Sequence, residues 1–227
     1  MKIGFFCVYR GDPIHYVLAD IMIRSANLHM PGVEIHQLTD DKSPLVVGAT
    51  GALRKQGVKM AELRAAHQVD CKGEWLFVDT DIVFQKEVRH VFDDLDFDVA
   101  VADRNWPHDP LANSDSAVAK QMPHNVGVVF SRNPQFFATV QHLMKILPPD
   151  KQGWLGDQYA ACYAIQSGAY RVKVLPGMEY NCPPDERDTP MPDAAILHYK
   201  GPRKGLMLKR IVPLPAPVGE ADSAQAA

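Results

Sequence analysis

Short apolar runs alternate along the chain with longer stretches in which apolar positions recur every third or fourth residue. The runs at 3–9, 33–38, 75–78, 98–102, 125–131, 171–175 and 195–198 predict strands. The stretches at 12–29, 59–69, 134–146 and 156–166 predict helices, the first opened by Asp12 as cap and Pro13 at the first helical position. Strands separated by helices imply an α/β fold, with a mostly parallel central sheet covered by helices on both faces. Ligands of such a sheet bind outside the carboxyl ends of its strands. The polar, irregular stretch 106–123 is equally consistent with an active-site lid and with an ordinary surface excursion. Residues 1–210 are expected to form a single domain, and the proline- and alanine-rich end, 211–227, a disordered tail.

Composition narrows the function little. Of 227 residues, 46% are hydrophobic and 22% charged, as in ordinary globular proteins. A net charge of -3 gives no global reason to expect nucleic acid as a partner, so any phosphate site has to be local. The cysteines Cys7, Cys71, Cys162 and Cys182 are dispersed and form no C-x-x-C pair, which fits reduced thiols in a cytoplasmic protein. The first apolar run is too short for a signal-peptide core, and no stretch reaches the length of a membrane span.

The candidate chemistry begins at Glu74-Trp75-Leu76-Phe77-Val78-Asp79-Thr80-Asp81, an apolar strand that ends in Asp-x-Asp. Side chains two apart on an extended backbone share a side, so Asp79 and Asp81 are expected to converge on one Mg²⁺ or Mn²⁺ ion whose shell a substrate phosphate completes. The competing reading is an Asx turn closing the strand. Far along the chain, His198-Tyr199-Lys200-Gly201-Pro202-Arg203-Lys204 follows another apolar strand. Here His198 offers a third metal ligand, Gly201 close backbone approach, and Lys204 a charge for a leaving diphosphate. Its alternatives are a surface histidine beside a solvated basic turn, or a polybasic membrane contact through Lys200, Arg203, Lys204, Lys209 and Arg210.

The order of these segments resembles the GT-A glycosyltransferases of the glycogenin and lipopolysaccharide galactosyltransferase type, the retaining family 8 of the nucleotide-diphospho-sugar transferases. Asp79-Thr80-Asp81 is similar to the family's D-x-D, and His124-Asn125-Val126-Gly127-Val128-Val129 to its F-N-S-G strand. Gly156-Asp157-Gln158 is similar to the G-D-Q beneath the donor sugar, and His198 to Lys204 to the H-x-x-G-x-x-K that closes the diphosphate site. The resemblance implies a Mn²⁺- or Mg²⁺-dependent transferase with Asp79, Asp81 and His198 as metal ligands. It implies a UDP-sugar donor, an acceptor hydroxyl of unidentified identity, and retention of anomeric configuration. Asp157 and Gln158 are then the catalytic candidates, with Asp157 first a positioning or electrostatic group. Asn125, Gly201 and Lys204 are implied substrate contacts, as are Lys59 and Arg64 before the D-x-D strand, Asp103 at a sugar hydroxyl, and Tyr9 at the base. The pattern departs from the family at Val126 for serine, His124 for an aromatic, Trp154 for an acidic sugar contact, and Gly205-Leu206 for Pro-Trp. These departures fall on the shell around the sugar.

Other classes fit less well. A haloacid-dehalogenase phosphatase carries its D-x-D on the first strand, whereas this one is internal. A nucleotidylyltransferase needs a glycine-rich cationic loop after the first strand, which Arg10-Gly11-Asp12-Pro13 is not. The non-enzymatic alternative is a protein of the same fold that binds a sugar nucleotide or glycan without turnover.

Overall fold

A computed structural model describes residues 1–6, 14–38, 61–70, 72–104, 121–148, 151 and 155–210. Its strands are β1 (Lys2–Phe6), β2 (Glu34–Leu38), β3 (Trp75–Val78), β4 (Ile82–Phe84), β5 (Val99–Asp103), β6 (His124–Ser131), β7 (Val172–Leu175) and β8 (Ile196–His198). The helices are α1 (Ile14–His29), α2 (residues 61–70), α3 (Gln135–Ile146), α4 (Gly156–Gln166), α5 (Gly177–Tyr180) and α6 (Lys204–Met207). The expected extension of the first strand to residue 9, the cap at 12–13, most of the loop at 106–123 and the tail at 211–227 lie outside the described residues.

Six strands form one sheet in the order β2-β1-β3-β6-β5-β7. β1 runs parallel to β2 and β3, and β7 parallel to β5, whereas β6 is antiparallel to both of its neighbours. The sheet is therefore mostly parallel with one reversed central strand. That reversal leaves no mark on a fully buried run such as Val126–Ser131, because both faces are apolar in either direction. A second departure from the pattern reading concerns β8. It does not join the main sheet but pairs antiparallel with β4, in a two-stranded sheet that registers Ile82 with His198.

Alternation along the strands divides the core into two layers. Leu76, Val78, Val128 and Phe130 face a cluster that contains α1, β4 and β8. Trp75, Phe77, Val101 and Val129 face a cluster with α3 and α4, where Trp75 stacks on Phe77 with centroids 5.3 Å apart. Helix α1 buries Leu18, Ile21, Met22, Ser25 and Ala26, the stripe expected from helical spacing, and the Ser25 hydroxyl accepts the backbone N–H of Phe84 at 3.1 Å. Helix α2 differs, because its buried face reads Ala61, Arg64, Ala65 and Gln68. Gln68 Oε1 accepts the Ser131 hydroxyl at 2.9 Å, while Arg64 points toward the ends of the strands.

Candidate functional site

The aspartates do not converge through strand geometry. Asp79 and Asp81 flank a turn that takes the chain from β3 in the main sheet to β4 in the small one. Asp79 continues the β3 ladder by donating its N–H to the Gly127 carbonyl at 2.9 Å, and the Asp81 carbonyl accepts the Tyr199 N–H at 2.8 Å. The pairing of β4 with β8 thus brings His198 to the aspartates across more than a hundred residues of chain. One ligand atom from each of Asp79, Asp81 and His198 lies within 4.8 Å of the others, a spacing that suits one shared divalent cation. His198 Nε2 is 3.3 Å from Asp81 Oδ1 and 3.7 Å from Asp79 Oδ2. Lys204 Nζ donates to the remaining Asp81 oxygen at 2.5 Å. Gly201 has φ +64° and begins the short turn that leads from His198 to Lys204, so the backbone conformation is what calls for glycine there.

The charges in this site are unbalanced in a way that favours a cation. Asp81 is 4% exposed; burial acts to raise its carboxyl, but the His198 ring and the Lys204 ammonium outweigh burial and hold it below the usual carboxylate range. Asp79, with 41% of its side chain exposed at the mouth, is pushed up by partial burial and then by the neighbouring Asp81. Asp157, in the first turn of α4, is also pushed up by burial and then by Asp79. Arg64 is 3% exposed, and its Nε and one terminal nitrogen have no hydrogen-bond partner; that nitrogen is 3.8 Å from Asp79 Oδ1. Its guanidinium instead lies over the Phe137 ring at 5.3 Å. A buried guanidinium with unused donors, aimed at two carboxylates, is suited to an anionic or hydroxyl-rich ligand between them.

These shifts predict a pH effect. Asp79 and Asp157 have raised values, so their share of the metal-free stability is present below the ordinary carboxylate pKa and lost as pH rises through the raised values. Asp81 contributes the opposite share, present above the ordinary carboxylate pKa and lost as pH falls through its lowered value. A cation requires Asp79 ionised, so the rise in Tm on adding Mn²⁺ is expected to widen from about pH 4 toward pH 7. A Mn²⁺ effect of constant size across that window would contradict the assignment.

Beside the carboxylates, β6 leaves its β5 ladder. Val101 pairs with Val129 but Ala102 with Asn125, so residues 126–128 bulge away at the site. The freed backbone N–H groups are taken by side chains: Val126 N–H by Gln158 Oε1 at 3.2 Å and Gly127 N–H by Asn125 Oδ1 at 3.0 Å. Gln158 also donates to the His124 carbonyl, and Asn125 Nδ2 reaches Gln158 Oε1 at 3.4 Å. The structure therefore gathers Asp79, Asp81, His198, Lys204, Arg64, Asn125, Asp157 and Gln158 into one neighbourhood. Asp103 ends β5, and one of its oxygens accepts the Gly177 N–H at 2.9 Å, the partner expected of a strand-ending acid. Tyr9, Lys59 and Trp154 lie outside the described residues.

No protein-family model and no curated protein matches the chain by sequence. Solved structures do match in three dimensions. A glycosyltransferase involved in glycosylation of the major capsid of PBCV-1 superposes with a TM-score of 0.58 at 14% identity, over 91% of this chain and 98% of that one. The galactosyltransferase LgtC, in complex with donor and acceptor sugar analogs, superposes with a TM-score of 0.53 at 12% identity, over 95% and 98%. GlyE of Streptococcus pneumoniae TIGR4, also a glycosyltransferase, gives 0.53 at 14% identity, over 88% of this chain and 54% of its own. The chain has the GT-A glycosyltransferase fold.

Within this GT-A fold two site residues escape the sequence reading. Gly127 was read only as part of a motif, yet the structure shows what it does. A Cβ there would overlap the His198 ring at Cε1 and lie 2.8 Å from Asp79 Oδ2. Gly127→Ala is therefore expected to lower Mn²⁺ affinity by about 10-fold or more, as loss of a supporting group does, while leaving the circular dichroism spectrum intact. Unchanged affinity, measured by the paramagnetic signal of free Mn²⁺, would show that the ring and carboxylate move aside. The other residue is Asn181, fully buried against His198, whose only sequence signal is an amide between Tyr180 and Cys182. No helix among the described residues is long and apolar enough to cross a membrane.

Proposed function

We propose that this protein is a metal-dependent glycosyltransferase that moves a sugar from a nucleotide-diphosphate donor, a UDP-sugar, to an acceptor hydroxyl with retention at the anomeric carbon. The observation that carries this reading is the convergence of Asp79, Asp81 and His198, with Lys204 beside them and Arg64 buried with unused donors, at the strand ends of a GT-A fold. The donor set, two carboxylates and an imidazole, fits Mn²⁺ or Mg²⁺ completed by phosphate oxygens. Held there, the cation would neutralise charge on the departing diphosphate.

The protein's own groups divide the rest of the work. Lys204, 26% exposed, is paired with Asp81 and placed to pass part of its charge to phosphate. Arg64 supplies donors from the floor of the site. Asn125 and Gln158 spend most of their amide bonds on the β6 backbone and on each other, so they brace the wall beside which the sugar would lie. Asp157 places negative potential near the anomeric carbon, where positive charge grows as the glycosidic bond breaks, and it acts as a positioning group rather than as a nucleophile. Asp103 is assigned a sugar-hydroxyl contact by resemblance alone. Gly201 lets the backbone approach the phosphates, while Tyr9 and Lys59 are assigned to base and nucleotide by resemblance alone.

The test is nucleoside diphosphate release from a panel of nucleotide sugars, with Mn²⁺, with Mg²⁺ and with EDTA. Release that requires metal and favours a UDP-sugar is expected. Metal-dependent binding without release from any donor, with or without added acceptor sugars, would favour the non-catalytic binding protein instead.

A further inference from the structure

His198 can hold a cation through Nε2 only if that nitrogen carries a lone pair, and an isolated imidazole places its proton on either nitrogen. A chain of hydrogen bonds that starts at the backbone removes the choice here. The Gly127 N–H can only donate, so the Asn125 atom it meets at 3.0 Å is the amide oxygen. That oxygen also receives an Asn181 atom at 2.8 Å, which must then be the Asn181 nitrogen. The other end of the Asn181 amide is thereby its oxygen, and it lies 2.7 Å from His198 Nδ1. An amide oxygen only accepts, so Nδ1 carries the proton. In the neutral ring the lone pair then falls on Nε2, which faces Asp79 and Asp81.

We propose that Asn181 is a positioning residue for the metal site, relaying the polarity of the Gly127 backbone N–H through Asn125 to set the His198 tautomer with its lone pair toward the two aspartates. The relay is buried: Asn181 is fully enclosed and Asn125 nearly so. Its geometry follows from local folding. Cys182 N–H donates to the Ile196 carbonyl at 3.0 Å and His198 N–H to the Cys182 carbonyl at 2.8 Å, so the backbone before Cys182 runs beside β8 and holds Asn181 against the ring. The bulge in β6 frees the Gly127 N–H that starts the relay. Asn125 is shared between this relay and Gln158, so the residues proposed for the sugar and those proposed for the metal are braced by one set of bonds. The use made of the lone pair rests on the metal-dependent reading above, whereas the tautomer does not.

The experiment uses the full chain labelled with ¹⁵N-histidine. Imidazole spectra are recorded on the metal-free protein at a pH where His198 is neutral, and Mn²⁺ affinity is measured separately by the paramagnetic signal of the free ion. The wild type is expected to show Nδ1 protonated. Asn181→Leu is expected to let the proton move toward Nε2, where the aspartates accept it, and to weaken Mn²⁺ binding about 10- to 100-fold. Asn181→Asp still accepts from Nδ1 but loses the bond donated to Asn125 Oδ1, so it should keep the tautomer and recover only part of the affinity. A folded Asn181→Leu protein with unchanged tautomer and affinity would overturn the proposal. So would an Asn181→Asp protein whose neutral His198 carries its proton on Nε2, a result that decides the matter even if the leucine variant does not fold. A wild type that binds Mn²⁺ but carries its neutral proton on Nε2 would overturn the relay alone. Nδ1 protonation with no Mn²⁺ binding would instead overturn the metal reading and the positioning role that serves it.

Discussion

Asp157→Asn is expected to reduce sugar transfer by about 10²- to 10³-fold while leaving UDP affinity nearly unchanged. The substitution keeps the size of the side chain and an oxygen to accept the Gln158 N–H, which Asp157 Oδ1 takes at 2.8 Å. What it removes is a negative charge already strained by burial and by Asp79. A charge held under that strain acts most strongly on a transition state that develops positive charge, and the loss should appear in kcat more than in KM. Equal losses in both, or none, would move Asp157 out of the reacting region. A variant that fails to fold would mark the residue as structural.

The second large effect is expected from Asp81→Ala, which should abolish the dependence of UDP binding on Mn²⁺. Asp81 is the most enclosed of the carboxylates in the site and the one bonded to Lys204 and closest to His198. Losing a group that merely supports a metal ligand lowers affinity by about 10- to 100-fold, so losing a ligand should exceed that range. Lys204 is partly exposed and can turn to solvent when its partner goes, so the fold should survive. Calorimetric titration of UDP into the variant, with and without Mn²⁺, should give two equal affinities. A metal effect as large as in the wild type would place the ion elsewhere.

What could be read from the sequence and what could not divides along chain separation. Segments whose signal is local, such as the stripe of α1 or the boundaries of α4, emerge where the periodicity places them because their burial repeats within a few residues. The Asp-x-Asp motif was legible as a pair of candidate ligands, but the reason for their convergence was not. It is the turn between two sheets and not a shared strand face, and the β4–β8 pairing that creates it depends on residues more than a hundred positions apart. Asn181 stayed invisible because a buried amide that bonds other buried groups has no local pattern. The reversal of β6 was hidden by its apolarity on both faces, and with it the bulge that turns Val126 and Gly127 into donors. Arg64 is the instructive intermediate case. Its place on the helix before the D-x-D strand was visible, and only the structure shows that its donors are buried without partners.

The most direct test of the account is the affinity of the wild-type protein for UDP, titrated calorimetrically in Mn²⁺ and again in EDTA. If Asp79, Asp81 and His198 hold a cation that meets the diphosphate, UDP should bind at least about 10-fold more tightly with the metal, a coupling of roughly 1.4 kcal/mol. Equal affinities in the two conditions would contradict the account, because no shared ion would then join this site to the nucleotide.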